Sequence, residues 1–143
     1  MIAQSELFAG VSDKQLCAVE ATAQQDFRPA GTRIISAGSS DRTVYILVEG
    51  SVSIRIGSHD QIVIVSYSEP GALFGEITLV DTGPRTATVV AETDVKLLSF
   101  GVAGLEQLFE NDPVFEARVM RNLARCLALH LRQANAGRAE SAQ

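Results

Sequence analysis

Leu73-Phe74-Gly75-Glu76-Ile77-Thr78-Leu79-Val80-Asp81-Thr82-Gly83-Pro84-Arg85-Thr86-Ala87-Thr88-Val89 is the stretch around which the rest of the chain is organised. Two apolar residues end a strand, Gly75 turns the chain, a short helical run follows, Gly83-Pro84 breaks it, and a strand resumes at Arg85. Where the short helix begins, backbone N–H groups lack intrahelical partners and can point at an anion. The same turn delivers one carboxylate, Glu76, and one guanidinium, Arg85.

A single arginine among backbone donors suits a phosphate with one negative charge, because the guanidinium fork matches phosphate oxygens and the amides supply the remaining bonds. Glu76 would be repelled by that phosphate, so its natural partner is a hydroxyl. One phosphate charge beside a sugar hydroxyl describes a nucleoside cyclic monophosphate.

Phe74-Gly75-Glu76, followed at a fixed spacing by Pro84-Arg85-Thr86-Ala87-Thr88-Val89, resembles the phosphate-binding cassette of cyclic nucleotide-binding domains, as in cAMP-dependent kinase regulatory subunits and the catabolite activator protein. The resemblance implies that Glu76 holds the ribose 2′-hydroxyl and that Arg85 holds the cyclic phosphate, helped by the backbone amides of Ile77 and Ala87. It places the base between a β-roll wall, at Ile54 and Val65, and a C-terminal helix. Leu127, Leu131 and Arg132 are the candidate base contacts on that helix, with core or dimer packing the competing role for the leucines. Thr86 stands where many cAMP cassettes carry alanine. Its hydroxyl has two possible jobs: accepting from a guanine 2-amino group, or donating to the phosphate. The expected ligands are therefore cAMP, as the default, and cGMP.

Elsewhere the sequence is that of an ordinary globular domain. Its 143 residues suffice for one core, hydrophobic residues make up 46%, and charged residues 20%. A net charge of −5 argues against a nucleic-acid surface. There is no apolar run of transmembrane length and no signal-peptide pattern, which leads to the expectation of a cytoplasmic protein. Cys17 and Cys126 are far apart in helical patterns and read as buried thiols. His59, in a Gly-Ser-His-Asp turn, and His130, on a helix, read as surface or half-buried residues, and no metal site is expected from them.

Ser12-Asp13-Lys14-Gln15 reads as a capping box opening a helix of about three turns, with Leu16, Val19 and Ala23 on one face. From Asp26 the period becomes two, with strand-like runs at 32–36, 43–49, 51–56, 61–67, 85–91 and 95–100. Val52, Ile54 and Ile56 alternate with Ser51, Ser53 and Arg55, a buried face against a wet one. Gly31, Gly38, Gly50 and Gly71 stand at turns. Tyr45-Ile46-Leu47-Val48-Glu49-Gly50, set among these glycines, also resembles the β-roll of the family. A short helix at 102–109 turns Leu105, Leu108 and Phe109 inward. Asp112-Pro113 then starts a longer one, with an apolar stripe through Val119/Met120, Leu123, Leu127, Leu131 and Ala134 and with Arg118, Arg121, Arg125 and Arg132 in solvent. The expected fold is mainly β: an antiparallel, jelly-roll-like β-roll with an N-terminal helix, a short cassette helix and two C-terminal helices. The nucleotide-binding domain is expected to span 1–136, with a polar tail at 137–143.

This pattern makes a cyclic-nucleotide sensor, and not an enzyme, the expected function. A cupin-like oxygenase on a similar roll would need clustered histidines and carboxylates. A relict cassette serving only as an interaction module is the alternative. The closing residues 121–136 look like the ends of such domains appended to bacterial glutaminases and sulfate-transporter-type proteins. The expected effector therefore lies on a longer form of this chain or on a partner, and the C-terminal helix is a possible homodimer surface.

Overall fold

A computed structural model describes residues 2–141 and shows the expected β-roll with flanking helices. Eight antiparallel strands form two four-stranded sheets. One has the order β1 (Gln24–Arg28), β8 (Val95–Gly101), β3 (Thr43–Glu49), β6 (Leu73–Phe74). The other has the order β2 (Arg33–Ile35), β7 (Thr88–Ala91), β4 (Val52–Ile56), β5 (Ile62–Tyr67). The helices are α1 (Asp13–Glu20), α2 (Val102–Glu110) and α3 (Pro113–Ser141), with short 3-10 segments at Ile2–Gln4, Glu6–Phe8 and Glu76–Leu79.

Strand β3 shows why the fold has two cores. Val44 and Ile46 face the helices, where they join Leu7, Phe8, Val19, Phe100, Leu105, Phe115, Val119 and Leu123. Tyr45 and Leu47 face into the roll with Ile35, Val52, Phe74, Val89 and Leu97. A strand buried on both faces reads as a continuous apolar run, as Val44 to Val48 does. The Tyr45 and Phe74 rings stack at 5.2 Å inside the roll.

The helix caps follow the sequence. Ser12 and Gln15 form the reciprocal capping box, and Asp112 accepts from the Phe115 amide at 3.1 Å and from the Gln15 side chain at 2.8 Å. The Gln15 bond ties the start of α3 to α1. Gly31, Gly38, Gly50 and Gly71 all have positive φ.

Some expectations are corrected. Helix α1 has 8 residues, just over two turns, because the chain leaves helical geometry after Ala21. Strand β1 was not foreseen: Gln24-Gln25-Asp26-Phe27-Arg28 is an edge strand paired only with β8, and Phe27 lies in solvent, so no alternation marks it. Strand β7 begins at Thr88 and not at Arg85, because the Arg85 backbone bonds instead to the 38–39 loop: its amide donates to Ser39 O and its carbonyl accepts from Gly38 N. Cys17 is exposed.

On β4, Val52 and Ile54 face the roll as expected, but Ser53 is buried too. Its hydroxyl donates to Glu92 and accepts from Arg55 Nε at 2.8 Å, so a Glu92–Arg55 pair covers the polar face. On α3 the buried stripe runs through Phe115, Val119, Asn122, Leu123 and Cys126, while Leu127 is half-buried and Leu131 is 62% exposed. The stripe has rotated away from Leu131 because buried Asn122 donates to both Leu7 O and Ala9 O at 2.9 Å, fixing that face of α3 against the N-terminal segment. The Ala134 side chain lies outside the described residues. The arginines Arg118, Arg121, Arg125 and Arg132 are all exposed.

Candidate functional site

Gly75 positions the cassette. Its φ of +74 favours glycine, and a Cβ there would lie 2.9 Å from Ile35 Cδ1, 3.2 Å from Thr43 O and 3.3 Å from Arg85 Nη1. The chain then enters the 3-10 helix Glu76–Leu79. Pairing of β6 with β3, Tyr45 with Phe74 and Ile46 with Leu73, anchors the turn on the roll.

Arg85 lies across this turn and is 7% exposed. Its Nη1 donates to Gly75 O at 2.8 Å, and Nη2 donates to Thr43 O at 2.5 Å and lies 3.5 Å from Asp41 Oδ2. The Asp41 carboxylate is itself occupied by the Thr43 hydroxyl at 2.7 Å. Arg85 Nε is buried without a partner. The guanidinium is held by two carbonyls and a long salt bridge to Asp41. With a donor to spare, it is suited to an incoming anion.

Glu76 is 6% exposed and does not pair with Arg85. Its Oε1 lies 2.5 Å from Nδ1 of His130, a residue of α3. The His130 ring sits 5.2 Å from the Tyr67 ring at the end of β5, so His130 brings α3 to the cassette. Burial and then the nearby Glu76 charge push the Tyr67 hydroxyl up, and the same two causes push the Cys126 thiol up to about 11.

The other expected site residues divide. Phe74 is fully buried under the turn, Ala87 is half-buried, and Ile77 and Thr86 are exposed at the cassette surface. Ile54 and Val65 are directly paired across β4 and β5, half-buried, and packed on the inner core of the roll. Leu127 packs on the helical core, while Leu131 and Arg132 are exposed. The α3 residue at the cassette is His130, read from sequence as an incidental histidine. Its signal was its spacing: His130 follows Cys126 by four residues, which continues the buried stripe. The Gly75 and Thr43 carbonyls carried no such signal, because a main-chain acceptor leaves no mark on residue identity, and Asp41 lies in a loop 44 positions before Arg85.

Among the described residues, no group of three or more His, Cys, Asp or Glu side chains is placed to hold a metal ion, and no helix is long and apolar enough to cross a membrane.

A family model described as the cyclic nucleotide-binding domain matches residues 25–112, which contain both sheets and the cassette. The chain belongs to this family. It is 27% identical over 128 residues to a CRP-like cAMP-activated global transcriptional regulator of Mycobacterium tuberculosis, covering 89% of this chain and 57% of the regulator. It is 28% identical to Glutaminase 2 of Bradyrhizobium diazoefficiens, covering 94% of this chain and 21% of that protein. This nucleotide-binding domain thus spans a fifth to somewhat over half of these curated relatives. A solved putative cyclic nucleotide-binding protein from Geobacter metallireducens superposes with a TM-score of 0.76 at 26% identity, covering 87% of this chain and 91% of that one.

Proposed function

We propose that the domain is a regulatory sensor that binds cAMP, and more weakly cGMP, at the Gly75–Ala87 cassette. Arg85, with the amides of Ile77 and Ala87, takes the cyclic phosphate. Glu76 takes the ribose 2′-hydroxyl. The base lies against Ile54 and Val65 on one side and α3 on the other, with Leu127, Leu131 and Arg132 as contacts once the helix closes. The observation that carries this reading is Arg85: a buried guanidinium with an unpartnered Nε, whose contact with the Asp41 carboxylate is long at 3.5 Å. A residue whose purpose was structural pairing would have its charge matched within the fold.

Regulation follows from α3 touching the cassette, since a ligand shifts an equilibrium between arrangements by its differential affinity for them. The effector lies on a longer form of this chain, as in the two much longer relatives, or on a partner. Exposed Leu129 and Leu131 on α3 favour homodimer contact through that helix. Calorimetric titration with cAMP, cGMP and 5′-AMP tests the reading. Saturable binding of the cyclic nucleotides, well above that of AMP with its doubly charged phosphate, is the expected result. Failure of both cyclic nucleotides to bind would refute it.

A further inference from the structure

The two charged residues of the cassette are in different situations. Arg85 has donor capacity left over, whereas Glu76 is already engaged. The Glu76 side chain is only 7% exposed with the His130 ring seated on it. Nδ1 lies 2.5 Å from Oε1, so the imidazole occupies the place beside that oxygen which a donating sugar hydroxyl would need. With the ring against Oε1, a ribose hydroxyl can take that oxygen only after the imidazole has moved. Tyr67 holds the other side of the ring, and a cleft of about 430 Å³ that His130 lines with Gln4, Glu69, Cys126 and Gln133 gives the displaced ring adjoining space.

We infer that His130 is a tethered competitor for the ribose position: its contact with Glu76 Oε1 must open before the 2′-hydroxyl of a cyclic nucleotide takes that oxygen, which links nucleotide binding to the seating of His130 on the cassette. The inference rests on the proposed cassette function and adds a specific switch to it. By linkage, whatever stabilises the His130–Glu76 contact weakens the nucleotide, and the nucleotide opens that contact to the same degree, whichever way α3 then moves over the base. Apparent affinity falls by the fraction of molecules in which Glu76 is open. A close contact with a charged group, discounted for the partial exposure of His130, corresponds to roughly a 3- to 30-fold reduction.

The test is calorimetry on the full chain and on His130→Ala and His130→Gln, with cAMP and 2′-deoxy-cAMP. His130→Ala is expected to bind cAMP roughly 3- to 30-fold more tightly, and His130→Gln, whose amide can still donate to Glu76, to fall between. The 2′-deoxy ligand does not need the carboxylate, so its affinity should change much less on removing His130. Equal or weaker cAMP binding by His130→Ala would overturn the inference, weaker binding meaning that the ring contacts the nucleotide. Binding to none of the chains would instead refute the cassette function, and the inference with it. Imidazole 15N spectra give a second readout: saturating cAMP should shift the His130 ring signals towards those of exposed His59, and an unmoved His130 would sink the linkage.

Discussion

Replacing Arg85 by alanine perturbs binding and folding at once, and the structure lets the two effects be separated. In the folded chain the guanidinium satisfies Gly75 O and Thr43 O, and both carbonyls lose their partner in the variant. A buried polar group left unpaired costs about 1–3 kcal/mol. The site borders the surface and water can recover part of this, so a total near 2–4 kcal/mol is expected. Domains of this size commonly have 5–15 kcal/mol of stability, so the variant should fold with a melting point lowered by several degrees. The nucleotide loses more. Truncating one partner of a buried charge pair costs about 2–5 kcal/mol, or on the order of 30-fold to several thousand-fold in affinity. Arg85→Lys separates the terms, since an ammonium keeps the charge and one carbonyl contact but not the planar fork. It should recover much of the melting point and little of the binding. Calorimetry alongside thermal melts gives both quantities. Wild-type cAMP affinity in either variant would refute the placement of the phosphate on Arg85. A binding loss that vanished once the unfolded fraction was corrected for would reduce the residue to a structural clamp.

Glu76→Gln keeps a hydroxyl acceptor without its charge, so cAMP binding should weaken by roughly 1–2 kcal/mol and discrimination against 2′-deoxy-cAMP should shrink; equal wild-type affinity for the two ligands would show that Glu76 does not read the ribose. Thr86→Ala, at an exposed cassette position, should weaken cGMP more than cAMP, by up to roughly tenfold for one neutral hydrogen bond; equal weakening would make the hydroxyl a phosphate contact only. Asn122→Ala strips two carbonyls of their donor under a side chain that is 4% exposed, and should cost about 2–3 kcal/mol in urea unfolding. A change of a few tenths there would mean that the N-terminal segment is held by packing alone.

The roll was legible because its strands carry their burial in their composition. Val44 to Val48 is apolar on both faces, Val52 and Ile54 alternate with polar residues, and glycines mark turns that need positive φ. Strand β1 was not legible, since an edge strand with one partner and an exposed Phe27 can be built from polar residues. The α3 stripe was drawn through leucines, the stronger apolar signal. A buried amide, Asn122, set the rotation of the helix, and hydropathy cannot reveal that a polar side chain has found two acceptors. At the site, Gly75, Glu76 and Arg85 were readable because their chemistry depends on side-chain identity and spacing. Their partners were not: Arg85 is held by main-chain oxygens, and Glu76 by a histidine 54 positions later in the sequence.

That asymmetry bears on how such a cassette signals. On the proposed reading the phosphate half is preformed: Arg85 is already oriented by the Gly75 and Thr43 carbonyls, so a phosphate would bind with little rearrangement. The ribose half is engaged by α3, so reading the sugar requires a change in the one element that leaves the roll and runs on to Ser141. Affinity and signal then arise from different parts of one small molecule, since a ligand moves an equilibrium only through contacts that differ between its two arrangements. On the proposed reading, the apolar pair Ile54 and Val65 would add affinity without discriminating between purines. The contact best able to convert nucleotide binding into movement of α3 is therefore the carboxylate that the helix already holds.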